Sequence, residues 1–162
     1  MKRQPTRGFS LIEVLVVIAV ILIIAALAIP NFQRSKMRAN EASAVAALRT
    51  IATAEVSYQT TYQQGYSPSL DALKPPPAGT QPNAAAAGLI DSVLASGIRG
   101  GYNYVYAAID TDGNGQPDQY TVNANPLSVG QTAEKYLYLD HTNVIRENLG
   151  GPAGPNSPPV PK

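Results

Sequence analysis

The sequence predicts an α+β fold, a long N-terminal helix packed against a small antiparallel sheet. Three observations carry this. Sixteen consecutive apolar residues, Val14 to Ile29, stand near the N-terminus. An alanine-rich amphipathic stretch follows them across Pro30 as far as Tyr62. From Tyr102 onward, short runs alternate apolar and polar residues and are separated by Asp, Gly and Asn, as strands and turns are.

Length and charge narrow the function. A chain of 162 residues predicts about one domain. Twelve Lys and Arg stand against eleven Asp and Glu, so the net charge of +1 provides no field for steering nucleic acid. Cysteine is absent, which excludes disulfides, thiolate catalysis and cysteine metal sites. The single histidine, His141, excludes a multi-histidine metal site within one chain. No nucleophile–base pattern is recognisable, and an enzyme is not expected. His141 beside Asp140 reads as a solvated pair at a strand-end turn.

The apolar run extends back to Phe9. Of the 21 positions from Phe9 to Ile29, only Ser10 and Glu13 are polar. As a helix these residues span roughly 31 Å, about one bilayer core. A helix apolar on every face has little use in a soluble domain of this size. The leader MKRQPTRG carries Lys2, Arg3 and Arg7 and no acid. A basic head before an apolar run is also how a secretory signal begins. Against removal of the run stand its length and the helical sequence that continues after Pro30.

Glu13 is the informative residue of this segment. A carboxylate in an apolar run costs at least ~2.5 kcal/mol to insert in lipid. No cation stands inside the run, so a partner comes from another molecule or from an amine made by cutting the chain. The alternative is a Glu13 that stays protonated or reaches to the head groups.

Gly8-Phe9-Ser10-Leu11-Ile12-Glu13-Val14-Leu15, behind a basic leader and before a long apolar run, resembles the class III signal of type IV pilins and type II secretion pseudopilins. The resemblance covers about 25 residues and is much looser past residue 62. It implies a prepilin peptidase that cuts between Gly8 and Phe9 and N-methylates Phe9. It also implies that Glu13 is the family's acid four positions after that phenylalanine, and that Pro30 bends the helix. The new amine at Phe9 would neutralise Glu13 of a neighbouring subunit in an apolar bundle. Such a buried pair sets register more than it adds stability. The basic leader argues for an inside N-terminus, and Arg34, Lys36 and Arg38 dilute that signal. The resemblance gives N-in, C-out.

The expected organisation is a cleaved leader at 1–8, a membrane and filament-core helix at 9–30, and an amphipathic helix at 31–62. A connector follows at 63–101, with short helices expected at Ser69–Leu73 and Ala84–Ala95. The sheet head occupies 102–149, with strands at Tyr102–Ile109, Gln119–Ala124, Lys135–Leu139 and Val144–Arg146. A Gly/Pro-rich tail, 150–162, is expected to be mobile or polyproline-like. Pro30 is expected to kink the helix or loosen the turn before it.

The loop Asp110-Thr111-Asp112-Gly113-Asn114-Gly115-Gln116-Pro117-Asp118 has two readings. Side-chain oxygens fall at Asp110, Asp112, Asn114 and Asp118, Gln116 offers its backbone carbonyl, and Gly115 stands where a calcium loop turns sharply. The nonapeptide is similar to loops of thrombospondin type 3 repeats. Thr121 replaces the bidentate glutamate of an EF-hand, which points to weak binding. The other reading is a polar hairpin turn, for which Asp, Gly and Asn are suited without any ion.

The expected function is that of a structural subunit of a homo-oligomeric, type IV pilus-like filament. Its precursor would sit as a single pass in the bacterial inner membrane, in contact with lipid, before joining a periplasmic or cell-surface filament. The resemblance implies three partners: the prepilin peptidase/methyltransferase, an assembly platform protein and an ATPase. Two alternatives stand beside it. One is a major pseudopilin of type II secretion with a calcium-stabilised head. The other is a membrane-anchored binding module that never polymerises.

Overall fold

The computed structural model describes residues 9–161; the leader 1–8, with Gly8, lies outside the described residues. Two units divide the chain, one ending at Lys36 and one beginning at Met37. Helix α1, Leu11–Tyr62, contributes to both.

In the first unit α1 buries nothing. Every large apolar side chain from Phe9 to Phe32 is exposed, and this stretch is long and apolar enough to cross a membrane. The helix continues through Pro30, whose ring removes one backbone donor. One residue on, the Asn31 side-chain Nδ2 donates to the Leu27 carbonyl at 3.1 Å.

In the second unit α1 is amphipathic. Met37, Ala44, Ala47, Leu48, Ile51, Ala54, Glu55 and Tyr58 are buried, at the three- and four-residue spacing of one helix face. Ala44, Ala47 and Ala54 flank Leu48 and Ile51 on this face, and all five belong to the core cluster. Burying Leu48 and Ile51 stabilises the head by about 1.5–3 kcal/mol each.

The sheet has five antiparallel strands in sequence order: β1 (Ile98–Arg99), β2 (Tyr102–Ile109), β3 (Gln119–Pro126), β4 (Lys135–Asp140) and β5 (Arg146–Leu149). Tyr104 opposes Ala124, Val122 opposes Leu139, and Tyr138 opposes Arg146. Period-two alternation turns Tyr102, Tyr104, Tyr120, Val122, Ala124, Leu137 and Leu139 to one side, where they join the buried face of α1 in a single core.

Several expectations are corrected. The last strand lies at Arg146–Leu149 rather than Val144–Arg146. The turn before it is longer, because Asn143 adopts a φ of 61° and its side chain accepts from the Tyr120 hydroxyl at 2.9 Å. β1 was not expected. Its signal was Gly100-Gly101, both at positive φ, which forms a two-residue hairpin. Ala84–Ala95 is not one helix. Only α2, Ser92–Ala95, is helical, capped by Asp91. Gly88 breaks the run, and Ala87 and Leu89 donate instead to the carbonyls of Ala72 and Leu73 at 2.8 and 2.9 Å. Ser69 caps a 3-10 turn at Leu70–Leu73, close to the short helix expected there.

The tail also differs from expectation. Residues 152–161 return along β5, Ala153 is buried, and Val160 packs against the core. A Gly/Pro-rich composition does not prevent docking when a strand edge supplies the partners.

Candidate functional site

At the start of α1, Ser10 precedes the first helical residue and Glu13 lies three residues later. The Glu13 carboxylate accepts from the Ser10 backbone N–H at 2.8 Å. This is the acidic half of a capping box, a spacing visible in Ser10-Leu11-Ile12-Glu13. A negative charge in the first turn also meets the favourable end of the helix dipole. The sequence reading sought a partner for Glu13 outside the chain. The structure gives it one within the chain, on the nitrogen next after that of Phe9. Phe9 itself is 81% exposed and stands before the helix. Pro30, the third expected assembly residue, lies in the same unit and the same helix.

The loop residues lie in the other unit, between β2 and β3. All of its carboxylates take donors from the loop. Asp110 accepts from the N–H groups of Gly113 and Gly115 at 2.8 and 2.7 Å. Asp112 accepts from the backbone and side-chain nitrogens of Asn114 at 3.2 and 2.8 Å. Asn114 in turn accepts from the Gln116 N–H at 2.7 Å. Asp118 takes the Thr111 N–H at 3.0 Å and its hydroxyl. These bonds hold Asp110 and Asp118 below the usual carboxylate range, Asp110 chiefly through Gly115 and Asp118 chiefly through Thr111. Among the described residues no three acidic or histidine side chains come together as a metal-holding group.

This loop is clamped to the connector. The Tyr66 N–H donates to the Pro117 carbonyl at 2.8 Å. Gly65, at φ +78°, lies so close that a Cβ there would stand 2.2 Å from the same oxygen. Tyr66, Gln64, Pro68, Gln116 and Pro117 line an open groove of about 530 Å³ beside the contact.

Sequence reasoning missed three polar anchors of α1. Glu55 is fully buried and accepts from the Ser67 N–H and hydroxyl at 2.9 and 2.6 Å. The Tyr106 hydroxyl donates to the Ser67 carbonyl at 2.8 Å. Burial pushes the Glu55 carboxyl up, and the Ser67 bonds oppose that rise. Burial also pushes the Tyr104 hydroxyl up to about 12. Nearer the start of this unit, Asn40 donates to the Thr132 carbonyl at 2.7 Å, and Glu41 accepts from the Glu134 N–H at 3.0 Å. Each acid interrupts an alanine-rich helix, and its partner lies too far along the chain for spacing to reveal it. Asp140, paired on paper with His141, turns its carboxylate to Thr142 instead.

Residues 3–29 match the prokaryotic N-terminal methylation motif. Over part of its length the chain is similar to two type IV pilins. It is 44% identical over 52 residues to the type IV major pilin protein PilA of Myxococcus xanthus, which is 32% of this chain and 24% of that protein. It is 41% identical over 56 residues to the type IV wide pilus major component PilA4 of Thermus thermophilus, which is 35% of this chain and 43% of that protein. The matches thus span less than half the length of either relative. No solved structure matches the chain. The residues that match the methylation motif include Gly8, Phe9, Glu13 and most of the exposed apolar part of α1.

Proposed function

We propose that the chain is the structural subunit of a type IV pilus-like filament, made as a membrane-inserted precursor, cut between Gly8 and Phe9 and N-methylated at Phe9. One observation carries the proposal. An unburied apolar helix bearing the methylation motif continues into a head with its own core. That helix suits lipid before assembly and the packed centre of a filament after it. Transfer between the two gains little hydrophobic stabilisation, so specific packing sets the register. Glu13 supplies it. Cutting turns the nitrogen of Phe9 into a cation one residue from the N–H that Glu13 now engages, and a neighbour's cation offers the same carboxylate a stronger partner. Pilin relatives support the filament and its peptidase, and the platform protein and ATPase complete the proposed partners. The basic leader supports an N-in precursor.

Replacing Glu13 with Ala is expected to leave cutting largely intact and to reduce filament yield sharply. Immunoblots of the cut subunit and the sheared filament fraction read the two effects separately. A normal yield of filaments from this variant removes the neutralisation argument.

A second proposal concerns the β2–β3 loop. We propose that calcium binds there through Asp110, Asp112, Asn114, Asp118 and the Gln116 carbonyl. Two observations favour it: side-chain oxygens at alternate positions of one exposed loop, and Gly115 at φ +84° where the chain must turn. Thr121 stands where an EF-hand has its bidentate glutamate, and the carboxylates already take donors from their own loop, which together keep affinity in the range of about 10⁻⁴–10⁻³ M known for extracellular modules. Millimolar calcium should raise the head's Tm, and replacing Asp110 and Asp112 with Ala should abolish the rise. An unaltered chain whose Tm ignores calcium has only a turn here.

A further inference from the structure

β5 is the last strand of the sheet, and an open strand edge is a template for pairing with another chain. The tail occupies it. The Glu147 N–H donates to the Pro158 carbonyl at 2.9 Å, and the Val160 N–H donates to the Ile145 carbonyl at 3.0 Å. Arg146 opposes Pro159 between these bonds, and its guanidinium donates to the Ser157 carbonyl at 3.0 Å. In an extended strand the N–H and C=O of one residue point the same way, and successive residues point in opposite ways. Pro158 and Val160 therefore face β5, and residues 159 and 161 face outward.

Both outward positions are proline. The residue that must donate inward, Val160, keeps its N–H, and the two that would donate outward have none. We propose that residues 152–161 are an edge guard, a strand-like cover whose outward positions 159 and 161 carry no donor, which keeps this end of the sheet from pairing with the same end of a second copy. The partner excluded is a second copy because the bare edge matches itself in its backbone: Glu147 turns its N–H and C=O to the edge, and in an antiparallel pairing about a two-fold axis they meet their own counterparts. The opposite end of the sheet is blunted differently. β1 has two residues, and Arg99 there is tied to Asp91 at 2.6 Å. The guard concerns the head alone and holds whether or not the chain forms filaments.

The deciding variant is the full chain with Pro159→Val and Pro161→Thr, in detergent at a concentration where the unaltered chain is monomeric. Both inward bonds survive these changes. Light scattering should show dimers and larger species, while hydrogen exchange at the Glu147 amide stays slow. A monomeric variant with an equally slow amide overturns the proposal. Deletion of residues 152–162 from the full chain is a second test. The shortened chain should self-associate, and a synthetic peptide of residues 154–162 should return it to monomer. A folded, shortened chain that stays monomeric, or that associates and ignores the peptide, contradicts the guard. If the deletion prevents folding, the proline variant decides.

Discussion

Glu55 shows how one side chain is governed by opposing effects. Its carboxylate gives up water, which favours the proton, and gains two bonds from Ser67, which favour the charge. Burial wins, and the carboxyl holds its proton more tightly in the folded chain than at its ordinary value of 4.5. The stability it contributes is therefore full below 4.5 and is lost as pH rises through the folded value. Asp110 and Asp118 run the other way, and their contribution is lost as pH falls through values below the usual carboxylate range. On lowering pH from about 7 to about 5, the Tm of the unaltered chain should rise relative to that of Glu55→Gln. A difference in Tm that does not change with pH contradicts this account of the residue.

Elements with one strong periodicity were legible in the sequence. α1 was legible from its apolar run and its alanine-rich amphipathic face, and β2 from four alternating positions ending in Ala108. β5 and the segment Ala84–Ala95 were not, because their ends depend on distant partners. Asn143 is fixed by Tyr120, and Ala87 by Ala72. The tail was misread because composition reports what a segment lacks and not the edge waiting for it. In the candidate site, Phe9 and Glu13 were legible from the motif, but the Ser10 partner of Glu13 needed the capping-box spacing to be read within the chain. Contacts between elements escaped entirely, and Gly65 is the sharpest case. Connector and β2–β3 loop meet there at a backbone-to-backbone approach that only glycine permits. Gly65→Ala should destabilise the head by about 1–3 kcal/mol and lower its Tm by roughly 5 °C. An unchanged Tm means that the loop moves away from the connector without cost.

At the scale of the molecule, the chain combines an apolar helix that buries nothing with a head that buries its own core. The first unit carries the methylation motif, and the second carries the sheet, the clamped loop and the guarded edge. The acids of the second unit, Glu41, Glu55, Asp110, Asp112 and Asp118, hold backbone together. The central claim is that cutting after Gly8 releases this helix for polymerisation. Intact mass of the protein in sheared surface filaments, set against the membrane fraction, tests it most directly. The account predicts the mass of Phe9–Lys162 plus one methyl group in the sheared fraction. The same mass confined to the membrane would move the reading to a secretion pseudopilin. An uncut chain in the mature protein would contradict the filament mechanism and leave a membrane-anchored module.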